Sequence, residues 1–255
     1  MGKTGGNPID PDDDDIEVLA DRARVHVAPI RATPKRPFGQ PIGSHLDYAG
    51  DTDRRLLGQV ASSIDAVHGD GRLVRMSVRL GRLDDGIDGL YEDLARQITI
   101  NPAGPYLRMA MLHEVGHLVD ARAFEGHSGS AQRPASIRLA LFAAWRAAMI
   151  QSRPVRSYRL IAEDLRQRIA RDTASDDDRE DLIFIDYLTD VRELWARSYV
   201  QYIAIHATDD RLVSEWRQYQ GEDAMTGLPQ QWDDVEFEPI ARSVDHIFRQ
   251  QGWRR

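Results

Sequence analysis

The segment Tyr106–Phe124 constrains this chain more than any other. It is apolar round most of a helical circumference, which a surface helix is not, so it reads as a buried central helix. Into that helix the sequence sets His113, Glu114 and His117, within Leu112-His113-Glu114-Val115-Gly116-His117-Leu118-Val119. Two histidines four apart share one helical face, one turn above the other, so both imidazoles can reach a single ion. Glu114, one residue round the helix, points beside that ion. The ordinary alternative is a packed helix whose histidines are satisfied by neighbours, since buried polar groups need partners either way. Yet two imidazoles and a carboxylate in an apolar helix are costly without a metal. With 8 His in 255 residues, chance places this pattern in roughly one chain in a hundred of such composition.

Composition limits what can hold the metal. Cysteine is absent, which removes thiolate ligands, disulfides and cysteine nucleophiles together. Imidazole, carboxylate and water remain, and neutral imidazoles suit Zn2+, whose catalytic sites keep one position open for water. The net charge of −8 and the scattered basic residues give no support to nucleic acid or an anionic membrane as partner. No stretch reaches the roughly 18 uninterrupted apolar residues of a membrane helix. Met1 to Asp15, rich in Gly, Pro and Asp, lacks the basic and apolar regions of a secretory signal. A soluble protein, cytoplasmic where it is made, is expected.

Residues 1–50 read as a flexible acidic tail rich in proline, with Val25–Ile30 as a short candidate strand and Asp12–Asp15 as a solvated charge run. Residues 51–255 read as one domain. Leu56, Leu57, Val60, Ala61 and Ile64 recur at helical spacing, with Asp51 or Thr52 as the cap. Val74, Met76, Val78 and Leu80 alternate with Arg75, Ser77 and Arg79, a strand with one buried face. Ile87–Tyr91 and Gln97–Asn101 predict two further short strands between turn-forming segments. Helices are predicted over Ser136–Ile150, Arg156–Arg171, Asp186–His206, Arg211–Tyr219 and Pro239–Gln250, and Ser175 begins an acidic N-terminal cap. The fold class is helix-rich α+β with a small sheet in the first third.

A third ligand must come from elsewhere. A histidine six residues after His117 would mark a bent-helix, metzincin-like site, but that position is Ala123. Asp120 shares the histidine face, yet about 10 Å of helical rise separates it from His113. It reads either as a residue supporting the ligands or as a surface group. His127 follows in a loop and stays a candidate. Glu193 is favoured: on a helical wheel it falls outside the broad core face, beside Ala196, Val200 and Ala204, small residues that admit another helix. Its alternative is a surface glutamate paired with Arg197 at i+4.

The pair His113-Glu114-Val115-Gly116-His117 and Glu193-Leu194-Trp195-Ala196-Arg197-Ser198-Tyr199 resembles the gluzincin-type zinc peptidases. It is similar to the lethal-factor-like peptidases, whose third ligand opens a Glu-aromatic-aromatic-Ala-type helix. It is similar also to HExxH domains of phage structural and mobile-element polyvalent proteins. Arg197 departs from the acidic residue that lethal-factor-like enzymes tend to carry there. The resemblance implies a zincin-like fold, with a small N-terminal sheet and a buried HExxH helix. It implies Zn2+ held by His113, His117 and Glu193, and peptide-bond hydrolysis of a protein or peptide substrate by metal-activated water with Glu114 as general base. A tyrosine ahead of the third ligand steadies the oxyanion in the family; Tyr187 matches, with Tyr199 as rival. Gln97–Asn101, as an edge strand, would border the cleft and bind an extended peptide by main-chain pairing. Two other roles follow from the same kinship: a phage or mobile-element structural component that keeps a zinc site, associated with a virion or mobile-element protein, or an intracellularly delivered metalloprotease toxin.

Overall fold

The alternating segment Met76-Ser77-Val78-Arg79-Leu80 forms β2 (Met76–Leu80), with Met76 and Val78 turned inward and Ser77 and Arg79 outward. In the computed structural model, which describes residues 41–69, 73–124, 134–224 and 229–254, β2 is one of the two inner strands of a four-stranded sheet. These residues all belong to one compact unit, Pro34–Arg255. The strand order is β1-β2-β4-β3, with β1 (Leu46–Tyr48) and β4 (Gln97–Ile100) parallel to β2. Leu46 lies opposite Met76, and Val78 opposite Ile98. β3 (Gly89–Glu92) runs antiparallel to β4 at the sheet's edge, with Leu90 opposite Thr99.

The sheet corrects two expectations. Gln97–Asn101 is not the edge strand; it lies between β2 and β3, and Ile98, Thr99 and Ile100 are all buried. The domain also begins before residue 51. Ile42 in a 3-10 turn and Leu46 in β1 belong to the main core, so the stretch 41–50 joins the sheet rather than the tail. Val25–Ile30 and Asp12–Asp15 lie outside the described residues.

Helices account for the rest, which makes the fold helix-rich α+β. α1 (Asp51–Val67) buries Leu57, Val60, Ala61 and Ile64 as the spacing predicts, but leaves Leu56 exposed; its N-cap is Gly50, without a side-chain cap, and Asp51 and Thr52, the expected caps, lie within the first turn. α2 (Leu107–Leu118) is the apolar central helix and continues into one π-helical turn, Val119–Ala123. Tyr106 offers no side-chain cap, and the carboxylate of Glu215 supplies one from a distant helix. It accepts from the Arg108 amide (2.7 Å) and the Met109 amide (3.2 Å) and pairs with the Arg108 guanidinium at 2.6 Å. An anion at a helix N-terminus satisfies orphan amides and complements the dipole.

The alanine-rich stretch 136–150 is not one helix. It divides into α3 (Ala135–Arg138), a 3-10 turn and α4 (Ala143–Gln151). α5 (Arg153–Ala170) and α6 (Asp176–Thr189) form a hairpin with a small core of Tyr158, Ala162, Leu165, Ile185 and Leu188. Ser175 caps α6 with a reciprocal capping box, as the acidic run predicts. The expected helix 186–206 breaks at Asp190, whose ψ of 133° leaves the helical region. Its carboxylate then accepts from the Arg192 amide at 2.8 Å and starts α7 (Val191–His206). α8 (Asp210–Ala224) and α9 (Asp234–Gln251) complete the fold; α9 starts ahead of Pro239 because Asp233 caps it. Among the described residues no helix is long and apolar enough to cross a membrane.

α7 is buried from Leu194 to Ala204, held between α2 and the helices behind it. Behind α2 lies an aromatic cluster in which Trp195, Tyr199, Phe248 and Trp253 surround fully buried groups, His68 among them. His68 Nδ1 donates to the Gly69 carbonyl at 2.5 Å, which leaves Nε2 to accept from the Tyr199 hydroxyl at 2.9 Å. Burial pushes the His68 imidazole down from 6.5 to about 4. On acidification the unfolded chain takes up this proton before the folded one, so the stability is complete above pH 6.5 and is lost as pH falls toward 4. The expected loss attributable to His68 across that window is about 3 kcal/mol. Urea unfolding of the wild type and His68→Gln at both ends of the window checks it; equal pH slopes in the two proteins would show that His68 is not the titrating group.

Candidate metal centre

His113 and His117 stand one turn apart on the cleft face of α2, with ring centroids 4.7 Å apart and planes at 81°. Their Nε2 atoms converge to 3.1 Å. Glu193, in the first turn of α7, sets Oε2 3.1 Å from His113 Nε2 and Oε1 3.3 Å from His117 Nε2. One donor atom from each residue lies within 4.8 Å of the others. Donors bound about 2.1 Å from a tetrahedral ion stand about 3.4 Å apart, so this trio fits a single small cation. Two imidazoles and a carboxylate are also a donor set that zinc accepts.

The reach of Glu193 depends on how closely α7 approaches α2. A Cβ on Gly116 would sit 3.1 Å from Ala196 Cα and 3.3 Å from Tyr199 Cβ, so the absence of a side chain at Gly116 permits the contact. Trp195 fixes its depth by donating from Nε1 to the Gly116 carbonyl at 3.1 Å. Ala196, one of the small residues beside Glu193 that favour it in the sequence, lies at the contact. The i+4 surface pair with Arg197 does not form: Arg197 is turned inward and buried.

Charges in the centre regulate one another. Burial alone would raise the Glu193 carboxyl, but hydrogen bonds and positive charge from His113 and His117 outweigh it and hold the group well below the usual carboxylate range. Burial would lower His117, yet Glu193, Glu114 and Asp120 together push it above its ordinary value. Glu114 is only 6% exposed, and desolvation raises its carboxyl against the opposing pull of the two histidines. A carboxylate so raised is better matched to taking a proton near neutral pH than a solvated one.

Glu114 faces the sheet rather than the other donors' side. It accepts from the Tyr91 backbone amide in β3. A Cβ on Gly89 would lie 2.6 Å from Glu114 Oε1 and 2.8 Å from its Cγ, so the glycine leaves the space that the carboxylate fills. Sequence reading passed over Gly89; an isolated glycine inside a strand, a mark of close approach, was the available signal. Tyr91 stacks beside His117 at 6.5 Å and 21°, and its hydroxyl donates to Asp93 at 2.6 Å. Arg122, in the π-helical turn, clamps Asp93 with two contacts of 2.6 Å.

The other sequence candidates separate. Asp120 is buried, not on the surface. It accepts from the Ser136 amide and hydroxyl, both at 2.6 Å, and supports His117 electrostatically rather than joining the donors. Tyr187, half-exposed, donates a hydrogen bond to Glu193; desolvation and that carboxylate raise its phenol. Tyr199, the rival, is fully buried against His68 and lies away from the centre. His127 lies outside the described residues. Comparison with known families, with curated proteins and with solved structures gives no match to this chain.

Gly89→Ala is expected to push the Glu114 carboxylate from its place under β3 and leave the three donors where they are. Metal uptake, measured by zinc competition with a chromophoric chelator, should stay at the wild-type level, while any turnover that depends on the Glu114 carboxylate falls about 100-fold, the scale of a misplaced reacting group. Wild-type turnover in this variant would mean that the position of Glu114 does not matter.

Proposed function

We propose that this chain is a zinc-dependent peptide hydrolase with a zincin-like fold. The carrying observation is the convergence of His113, His117 and Glu193 within 4.8 Å, with the buried Glu114 carboxylate beside them. The fold reading draws support from a buried helix bearing His113 and His117, a sheet whose antiparallel edge strand passes over it, and a ligand from a later helix. When bound, zinc lowers the pKa of a water and polarises the carbonyl under attack.

The chain's own groups do the rest. Glu114 takes the proton of the attacking water on a carboxylate whose affinity is already raised, and hands it to the leaving amine. The Tyr91 amide orients that carboxylate from one side and the space at Gly89 admits it from the other. Tyr187 presents a hydroxyl at the half-exposed rim beside Glu193; when substrate enters, its single O–H turns from that carboxylate to donate to the developing oxyanion. β3 ends the sheet and, apart from the Tyr91 amide taken by Glu114, offers its outer main-chain groups to an extended peptide, the role expected of Gln97–Asn101. The substrate class is therefore a protein or peptide segment that enters in extended form.

Elemental analysis of dialysed protein, paired with turnover of a quenched-fluorescence peptide library, tests the reading. The wild type should carry about one zinc per chain, and Glu193→Ala should lose it. Glu114→Gln should keep the metal and lose turnover by roughly 100-fold or more, the range of general-base catalysis. Metal in none of the three proteins would overturn the proposal. Zinc without cleavage, together with a fall in melting temperature on chelation, would assign the ion a structural role instead.

A further inference from the structure

Arg197 is a buried charge with no place among the metal donors. It is 4% exposed, and taking a cation from water into a protein interior costs several kcal/mol unless its hydrogen bonds are answered. The groups that answer it are carbonyls. Nη2 donates to the Leu188 carbonyl in the last turn of α6, and Nη1 donates to the Gln230 carbonyl at 2.5 Å. The guanidinium lies over the Trp232 ring at 5.8 Å, and among the described residues Nε has no hydrogen-bond partner.

These contacts join three segments at the back of the centre. Leu188 follows Tyr187 directly, and its carbonyl belongs to the last turn of a helix, where carbonyls lack intrahelical donors. Arg197 stands one turn beyond Glu193 on α7. The segment 230–231 is fastened from a second direction by Asp223, whose carboxylate accepts from the Gln230 and Gln231 amides, each at 2.9 Å. We propose that Arg197 is a positioning residue: its guanidinium fixes the end of α6 to the start of α7 and thereby holds the Tyr187 hydroxyl at Glu193. The proposal deepens the hydrolase reading and rests on it for the role of Tyr187, though the placement itself does not depend on activity.

The choice of arginine follows from the geometry. Two carbonyls on different segments need donors pointing in different directions, which the planar fork supplies and a single ammonium does not. A cation at the C-terminal end of α6 also complements that helix's dipole, while Glu193 occupies the opposite, anion-favouring end of α7. The break at Asp190 creates both ends, and Arg197 spans it from below.

The test measures placement and turnover separately. Hydrogen exchange on zinc-loaded Arg197→Met is expected to speed up in peptides covering 183–190, with peptides covering 113–118 protected as in wild type and zinc retained. For the library peptide that the wild type cleaves fastest, kcat should fall roughly tenfold or more with little change in KM, as for loss of a group positioned for the transition state. Adding Tyr187→Phe should then cost nothing further, because the two residues act as one unit. Arg197→Lys, which keeps the charge and one donor direction, should fall between and serves in place of Arg197→Met if that variant does not fold. Unchanged exchange over 183–190, or losses that simply add with Tyr187→Phe, would overturn the proposal. If the wild type neither binds zinc nor cleaves peptide, the hydrolase reading fails, while the exchange comparison still decides whether Arg197 places α6.

Discussion

The close approach of α7 to α2 at Gly116 and Ala196 governs nearly everything else in this molecule. Because Gly116 has no side chain, Ala196 comes within ordinary contact of its backbone, and Trp195 reaches the Gly116 carbonyl to register the two helices. A methyl group at that point would force the helices apart by some tenths of an ångström. Donor positions around a small ion tolerate little more than that. The same contact therefore serves as core packing and as the ruler that sets Glu193 opposite His113 and His117.

Four ionisable side chains around one point make an unstable arrangement unless each answers another. Here the histidines hold Glu193 ionised, the carboxylates hold His117 toward its charged form, and Glu114 is kept apart in a drier place against β3. The division of labour between the two glutamates comes from environment alone. One sits at a helix N-terminus facing two imidazoles, the other under a glycine in a strand. Asp120, held by Ser136, lies behind and acts on His117 through its charge without joining the shared point.

Much of this was legible in the sequence, and the remainder was hidden for identifiable reasons. His113, Glu114 and His117 declare themselves because imidazoles at i and i+4 in an apolar helix have few other uses. Glu193 was legible through its small neighbours, which mark where a second helix can come close. Met76–Leu80 and the Ser175 cap follow local rules and needed nothing more. The order of strands obeys no such rule: the pattern of Gln97–Asn101 looks the same at an edge or inside, and only pairing with β3 decides. The break at Asp190 was masked by helix-forming residues on both sides. The burial of Arg197 was hidden because its partners lie at Leu188 and Gln230, one across a helix break and the other 33 residues away. Residues 41–50 were read as tail because a three-residue strand is too short to show a period.

The hairpin of α5 and α6 carries a small core of its own, separate from the one that surrounds α2 and α7. Units with private cores open at lower free energy than the whole protein. Glu193, His113 and His117 belong to the main body, whereas Tyr187 belongs to the hairpin. Partial opening would thus remove the hydroxyl at the rim while the three donors stay assembled. In the reading developed above, retention of the ion and competence to turn over are then governed by two cooperative units of different stability, and mild denaturation would separate them into a loaded but idle state.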